Sequence, residues 1–210
     1  MKVFALGSLL ILTLMISGCG WRTKNTVGPG EVRSKEMINE AEFRTDFSIP
    51  AHWNILIADG QDYLRRAYLI DDTSSYSGLL QPIQVLYFTR DGQTRFHTMN
   101  SFIGGFPNLH WEKAIDTSSF PLELDPRIRG VQVFHTLNSY EEFVGTDLTY
   151  APNSDVLVLQ VNYFLWKQGK RLLELVKQYE AQKVKGGQLT IWVINTDDVF
   201  YEYEGLGKRE

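Results

Sequence analysis

Apolar and polar positions alternate most legibly in the last third of the chain. Asp155–Val161 is apolar on both faces, the pattern of a central buried strand, and Gln188–Ile194 repeats it. Between them Leu165, Leu172, Val176 and Tyr179 fall at helical spacing, with Trp166, Gly169 and Leu173 beside them. Lys167, Lys170, Glu174, Lys177 and Gln178 take the opposite face. Asn162 is placed to cap this helix and Gly186-Gly187 to end it, while Lys183 and Lys185 complement its macrodipole. The pattern predicts a β-α-β unit, whose crossover should be right-handed.

Upstream the runs are shorter and the turns tighter. Ile83–Thr89 and Thr94–Met99 flank Asp91-Gly92, a strong hairpin signal because glycine accepts the positive φ of a primed turn. Asn54–Ala58 and Tyr63–Ile70, around Asp59-Gly60-Gln61-Asp62, read as a second hairpin with a longer loop. Tyr63, Arg65, Ala67 and Leu69 would then share one face, and Leu64, Arg66, Tyr68 and Ile70 the other. A helix over Gln61–Leu69 following a strand is the alternative. Gly130–Thr136 is a further strand, and Ser34–Arg44 a short helix with Met37, Ile38 and Ala41 on one side. Asn100–Pro126, rich in Gly, Pro and Ser, reads as a long loop whose aromatics Phe102, Phe106 and Trp111 either pin it to the core or form a binding surface. These elements predict an α+β fold: a hairpin-rich sheet in the first half and a C-terminal β-α-β unit, in a single compact domain.

The first nineteen residues have a different character. Met1-Lys2 supplies a positive start, and Val3–Ile16 is apolar except for small residues such as Gly7, Ser8 and Thr13, the pattern of a signal peptide. The run is shorter than the roughly 20 apolar residues of a spanning helix, and Trp21, Arg22 and Lys24 follow closely, so a permanent transmembrane helix is the weaker alternative. Ile16-Ser17-Gly18-Cys19 resembles the bacterial lipobox, in which an aliphatic and two small residues precede the modified cysteine. That resemblance implies cleavage before Cys19, a diacylglycerol thioether on its sulfur and a further acyl chain such as palmitate on the new amino terminus. Two or more chains hold a protein stably to a bilayer, at about 0.8 kcal/mol per buried methylene. Gly20 stands where an aspartate would signal inner-membrane retention, which implies the outer membrane in a Gram-negative cell. The organisation expected is a signal peptide over 1–18, a lipidated tether over 19–35 around Gly28-Pro29-Gly30, and a periplasmic α+β domain over 36–210.

Composition narrows the function. Hydrophobic residues are 43% and aromatics 13% of the 210, enough to bury a core. The formal charge is -4, and losing Lys2 with the leader makes it one unit more negative, a balance that argues against a nucleic-acid partner. Cys19 is the single cysteine, which leaves no intramolecular disulfide and no thiolate cage for zinc.

Catalytic signatures are sparse. His52, His97, His110 and His135 are dispersed without an HExxH pair, and GxSxG, phosphate-loop and SxxK motifs do not occur. Two acidic segments follow strand-like runs: Asp71-Asp72-Thr73-Ser74-Ser75 and Asn195-Thr196-Asp197-Asp198. Ligands of open α/β sheets gather at the carboxyl ends of strands, and hard cations favour oxygen donors. The first segment faintly resembles the DxSxS metal motif of von Willebrand A-type domains, with Asp71, Thr73 and Ser75 in the matching places. It departs from that motif in its threonine, in its amphipathic preceding run and in Asn162-Tyr163, where a TDG would follow the later strand. No catalytic, cofactor or metal residue is therefore assigned, and Cys19 is the one assigned site. The function expected is an envelope lipoprotein working by protein-protein contact, as an accessory or assembly subunit of a secretion or surface machine. The alternative is an envelope ligand-binding protein or enzyme using the acidic strand ends.

Overall fold

The computed structural model describes residues 33–70, 79–103, 109–128, 130 and 133–206, with side chains to Tyr203. In chain order its helices and strands are α1 (Glu40–Asp46), β1 (Asn54–Ile57), α2 (Gly60–Tyr68), β2 (Gln84–Phe88), β3 (Thr94–Met99), α3 (Trp111–Ala114), β4 (Ile115–Asp116), β5 (Glu123–Leu124), α4 (Leu137–Val144), β6 (Asp155–Val161), α5 (Trp166–Lys183), β7 (Leu189–Asn195) and α6 (Asp197–Leu206). The central sheet runs β1-β7-β6-β2-β3, and β4 with β5 forms a separate two-stranded ribbon. β1, β7 and β6 are parallel, whereas β2 is antiparallel to both β6 and β3. This is a mixed α/β arrangement in one compact domain.

All residues of β6 and β2 are buried, so the sheet must be covered on both faces. One core joins Val85, Tyr87, Leu157 and Leu159 to Phe43 and Phe47 near α1, Trp111 of α3, and Leu172, Val176 and Tyr179 of α5. The other joins Leu86, Phe88, Val156 and Val158 to Tyr63 and Ala67 of α2, Tyr140 and Phe143 of α4, and Val199 of α6. Each such large side chain contributes about 1.5–3 kcal/mol on burial.

The expected β-α-β unit is present as β6-α5-β7, in register from Asp155 opposite Leu189 to Val161 opposite Asn195. The expected hairpin is β2-β3, with Gly92 at φ +77° in its turn. A bulge skips Arg95 between the pairs Tyr87–Phe96 and Phe88–Thr94. Trp111 is 1% exposed within the first core, so that aromatic pins its segment down, and the expected long loop carries α3, β4 and β5. Phe106 lies outside the described residues.

Several expectations are corrected. Tyr63–Ile70 is no hairpin strand: Tyr63, Leu64 and Ala67 bury together at helical spacing while Leu69 is 79% exposed, and Asp59 caps the helix by accepting from Asp62 N–H at 3.0 Å. β1 pairs instead with β7, across most of the chain. Gly130–Thr136 forms no strand among its described residues, because Thr136 makes one isolated bridge to Gln93 and then caps α4 reciprocally with Ser139. Ser34–Arg44 divides into a 3-10 turn over Lys35–Met37 and α1 capped by Asn39, with Phe43 buried and Met37 60% exposed. Gly186-Gly187 follows rather than ends α5, which stops at Lys183. α4 and α6 were not expected.

At Gly60, the first residue of α2, a Cβ would lie 2.3 Å from the carbonyl oxygen of Asp198. Replacing Gly60 by alanine should cost about 1–3 kcal/mol through overpacking. Gly186→Ala, whose Cβ would meet nothing within 4 Å, should leave stability unchanged or raise it by up to about 1 kcal/mol. Urea midpoints of the two variants test this, and equal midpoints would remove the role given to Gly60.

Candidate functional site

The three parallel strands end together on one edge of the sheet, where the chain repeatedly leaves a strand to start a helix. The Ala58 N–H donates to the Asn195 carbonyl at 3.0 Å and the Thr196 N–H to the Val161 carbonyl at 3.2 Å, which knits the ends side by side. A helix start leaves backbone N–H groups without intrahelical partners, and acidic side chains satisfy them best. In the acidic segment after β7, Asp198 does this and Asp197 secures a turn.

Asp197, fully buried, accepts from the Tyr163 N–H at 2.9 and 3.1 Å and from Asn195 Nδ2 at 2.7 Å, fixing the turn that leads into α5. Burial pushes its carboxyl up to about 6, outweighing the N–H donors of Tyr163 and Asn195 and the nearby Arg33 cation. Asp198 accepts from the Gly60 N–H at 2.7 Å through Oδ2 and from the Lys35 N–H at 2.6 Å through Oδ1. One carboxylate thus ties the start of α6 to the start of α2 and to residue 35. Asn162 accepts from the Leu165 N–H at 3.1 Å in the turn ahead of α5; the N-cap is Leu165, without a side-chain cap bond, so Asn162 orders the turn and does not cap the helix as its position predicts.

The segment Arg33–Met37 lies against this edge as a strap. The Arg33 guanidinium sits 4.1 Å over the Tyr163 ring and pairs with Glu42 at 3.1 Å, and Lys35 Nζ reaches Asp59 at 3.3 Å. Tyr163 is held in place by its hydroxyl donating to Asp46 at 2.9 Å. No residue of the 3-10 turn is buried. Exposed ion pairs contribute about 0–1 kcal/mol each and a cation over an aromatic ring about 0.5–1 kcal/mol, so the strap is held far more weakly than the cores. Beside it, Asn162 Nδ2 and Thr196 Oγ1 are buried without hydrogen-bond partners.

Asp71, Asp72, Thr73 and Ser75 lie outside the described residues, but the segment before them is α2 and not a strand, which removes the strand-end argument for a metal there. Among the described residues no group of three or more His, Cys, Asp or Glu side chains is arranged to hold a metal ion. The histidines stay apart: His52 pairs with Glu180 and His110 with Glu112 at the surface, His135 is exposed, and His97 is buried. Cys19 lies outside the described residues, and among those described no helix is long and apolar enough to cross a membrane.

His97 belongs to a polar seam inside the second core. Its Nε2 lies 2.8 Å from Gln84 Oε1, Gln84 Nε2 donates to the Leu79 carbonyl at 2.8 Å, and Gln160 Nε2 donates to the Tyr140 hydroxyl at 2.8 Å. The Tyr63 hydroxyl donates to the Leu79 carbonyl at 3.0 Å. Burial drives the His97 imidazole down to about 4, so it is neutral at neutral pH, and its Nδ1 has no partner. A cleft of about 530 Å³ follows the outer edge of β3, lined by Arg95, Phe96, His97, Glu123, Leu124 and Gly130 among others. Arg95 closes one wall by pairing with Glu123 and donating to the Leu122 carbonyl at 3.1 Å.

Of the residues singled out from sequence, the structure brings Asp197, Asp198 and Asn162 together. Lys35, Asp59, Gly60 and Tyr163, which complete the edge, were not foreseen as site residues. Asp59 three residues before Asp62 carried a capping signal, whereas nothing local marks Tyr163 as the floor for an arginine. Comparison with protein-family models, with curated proteins and with solved structures gives no match.

The raised carboxyl of Asp197 sets a pH dependence. A folded-state value above the unfolded one contributes stability that is present at acid pH and lost as pH rises from about 3.8 through about 6. Against Asp197→Asn, which keeps an acceptor for the Tyr163 N–H, the wild-type protein should lose about 3 kcal/mol of relative stability between pH 3.5 and 7. Denaturation of both proteins across that range reads the difference, and a constant difference would contradict a buried titrating carboxyl.

Proposed function

We propose that this chain is a membrane-anchored envelope lipoprotein that acts by protein-protein contact, as an accessory or assembly subunit of a secretion or surface machine. The observation that carries the reading is Ile16-Ser17-Gly18-Cys19 standing directly after the apolar run Val3–Ile16. In a Gram-negative cell, Gly20 favours the outer membrane, with the domain facing the periplasm. The partners are then the bilayer, through acyl chains on Cys19, and an envelope protein met by the folded body.

The strand-end edge supports contact over catalysis. Open α/β sheets commonly take small ligands at the carboxyl ends of their strands. Here Asp197 and Asp198 are committed to backbone N–H groups of their own chain, and Arg33–Met37 lies across the edge. A surface of this kind suits recognition of another chain better than turnover of a small molecule.

Mass spectrometry of the protein extracted from membranes should find an amino terminus at Cys19 carrying a diacylglyceryl group and an amide-linked acyl chain. Cys19→Ala should block that processing and leave the protein at precursor size without acyl chains. An unmodified terminus at another position would overturn the anchor. In-cell crosslinking from the folded body should then give discrete adducts with envelope proteins, and a body that stays solitary would overturn the contact role.

A further inference from the structure

We propose that the carboxyl edge of the parallel strands is a docking surface for a short basic peptide segment, and that Arg33–Lys35 of the chain itself is its resident occupant. The inference rests on the contact-based reading above and names the chemistry of the partner. The occupant displays what the surface selects. Its guanidinium lies on the Tyr163 ring at 4.1 Å, its backbone N–H at residue 35 reaches Asp198 at 2.6 Å, and its ammonium meets Asp59 at 3.3 Å.

The receiving groups are positioned independently of the strap. Tyr163 is fixed by Asp46 through its hydroxyl and by Asp197 through its N–H, and Asp198 is aligned by the Gly60 N–H through its other oxygen. Removing the strap would therefore leave an acidic edge of Glu42, Asp46, Asp59, Asp197 and Asp198 around an aromatic floor, with charge complementary to a basic chain. The strap, in turn, buries no residue of its 3-10 turn, and beyond the part-buried bond from the Lys35 N–H its ion pairs are exposed, so it exchanges with a competitor of like chemistry. Its advantage over a partner is its covalent attachment to α1, which keeps its local concentration high.

The test uses the full protein extracted in mild detergent, with and without the paired substitutions Arg33→Glu and Lys35→Glu, which turn the strap against the acidic edge. A synthetic peptide with the sequence of residues 32–35 and blocked ends, which carries the two cations of the strap and no acid, is titrated onto each while the amide resonances of Gly60 and Tyr163 are followed. The expected result is saturable shifts at both amides in the substituted protein, with affinity at least about tenfold weaker in the unsubstituted one. A peptide whose arginine and lysine are replaced by alanine should give no shift, and Glu42→Lys should weaken binding of the basic peptide. No saturable shift, equal affinity for the two proteins, or equal binding of the alanine peptide would each overturn the proposal.

Amide exchange in the unsubstituted protein gives a reading that does not depend on how the variant folds. The Lys35 N–H should exchange at least about a hundredfold faster than that of Val158 in β6. If it exchanges only with the core, the strap is a fixed part of the fold and the proposal fails. The mass of the Cys19 terminus in the same sample reads the lipid anchor separately, so the two ideas fail by different signals.

Discussion

The requirement that β6 and β2 be dry on both faces governs the rest of the molecule. A strand with no polar face can be accommodated only with a layer of helices on either side, and α1, α3 and α5 on one face and α2, α4 and α6 on the other supply those layers. Placing helices on both sides of parallel strands makes the chain turn from strand to helix at one edge. That edge collects helix starts and their unsatisfied N–H groups. Asp59 and Asp198 stand there because those donors need acceptors, and Asp197 holds the turn ahead of α5, so the acidity of the edge follows from the architecture.

Two demands meet at this edge. Asp197 serves the fold by accepting backbone N–H groups, yet full burial lifts its carboxyl to about 6, so its ionised form is held at a cost in stability. Asp198 is less enclosed and divides its two oxygens between a buried helix start and an exposed strap. The same chemistry that closes the fold therefore offers a point of attachment to a chain passing over it. Gly60 is part of this arrangement, since only a residue without a Cβ lets α2 begin so close to the Asp198 backbone.

Where the sequence pattern was decisive, one period dominated and both faces of the element told the same story. β6, α5 and β7 were legible because buried runs of seven positions in β6 and five in β7, or a long helical stripe, leave little room for another reading. The β2-β3 hairpin was legible because Asp91-Gly92 fixes its turn. Residues 63–70 misled because alternation and helical spacing compete in so short a segment, and the arbiter was α6, more than a hundred residues away, which gives α2 a surface to pack on. β1 looked like a hairpin strand because its true partner, β7, is remote in sequence. At the edge, Asp197 and Asp198 could be named from their place after a strand, while their purpose depended on contacts with Gly60, Tyr163 and Lys35 that no local pattern encodes.

The amide and phenol seam within the second core sets a different kind of limit. Gln84 stands directly opposite Gln160 across β2 and β6, and each donates its amide N–H to a designated acceptor, the Leu79 carbonyl for one and the Tyr140 hydroxyl for the other. Hydrocarbon side chains would tolerate sliding one strand past its neighbour by two residues, because valine against leucine packs nearly as well as leucine against valine. Sliding β6 by two residues would instead carry Gln160 away from the Tyr140 hydroxyl and leave its amide among hydrocarbon, so the seam works as a vernier that admits one alignment of the sheet.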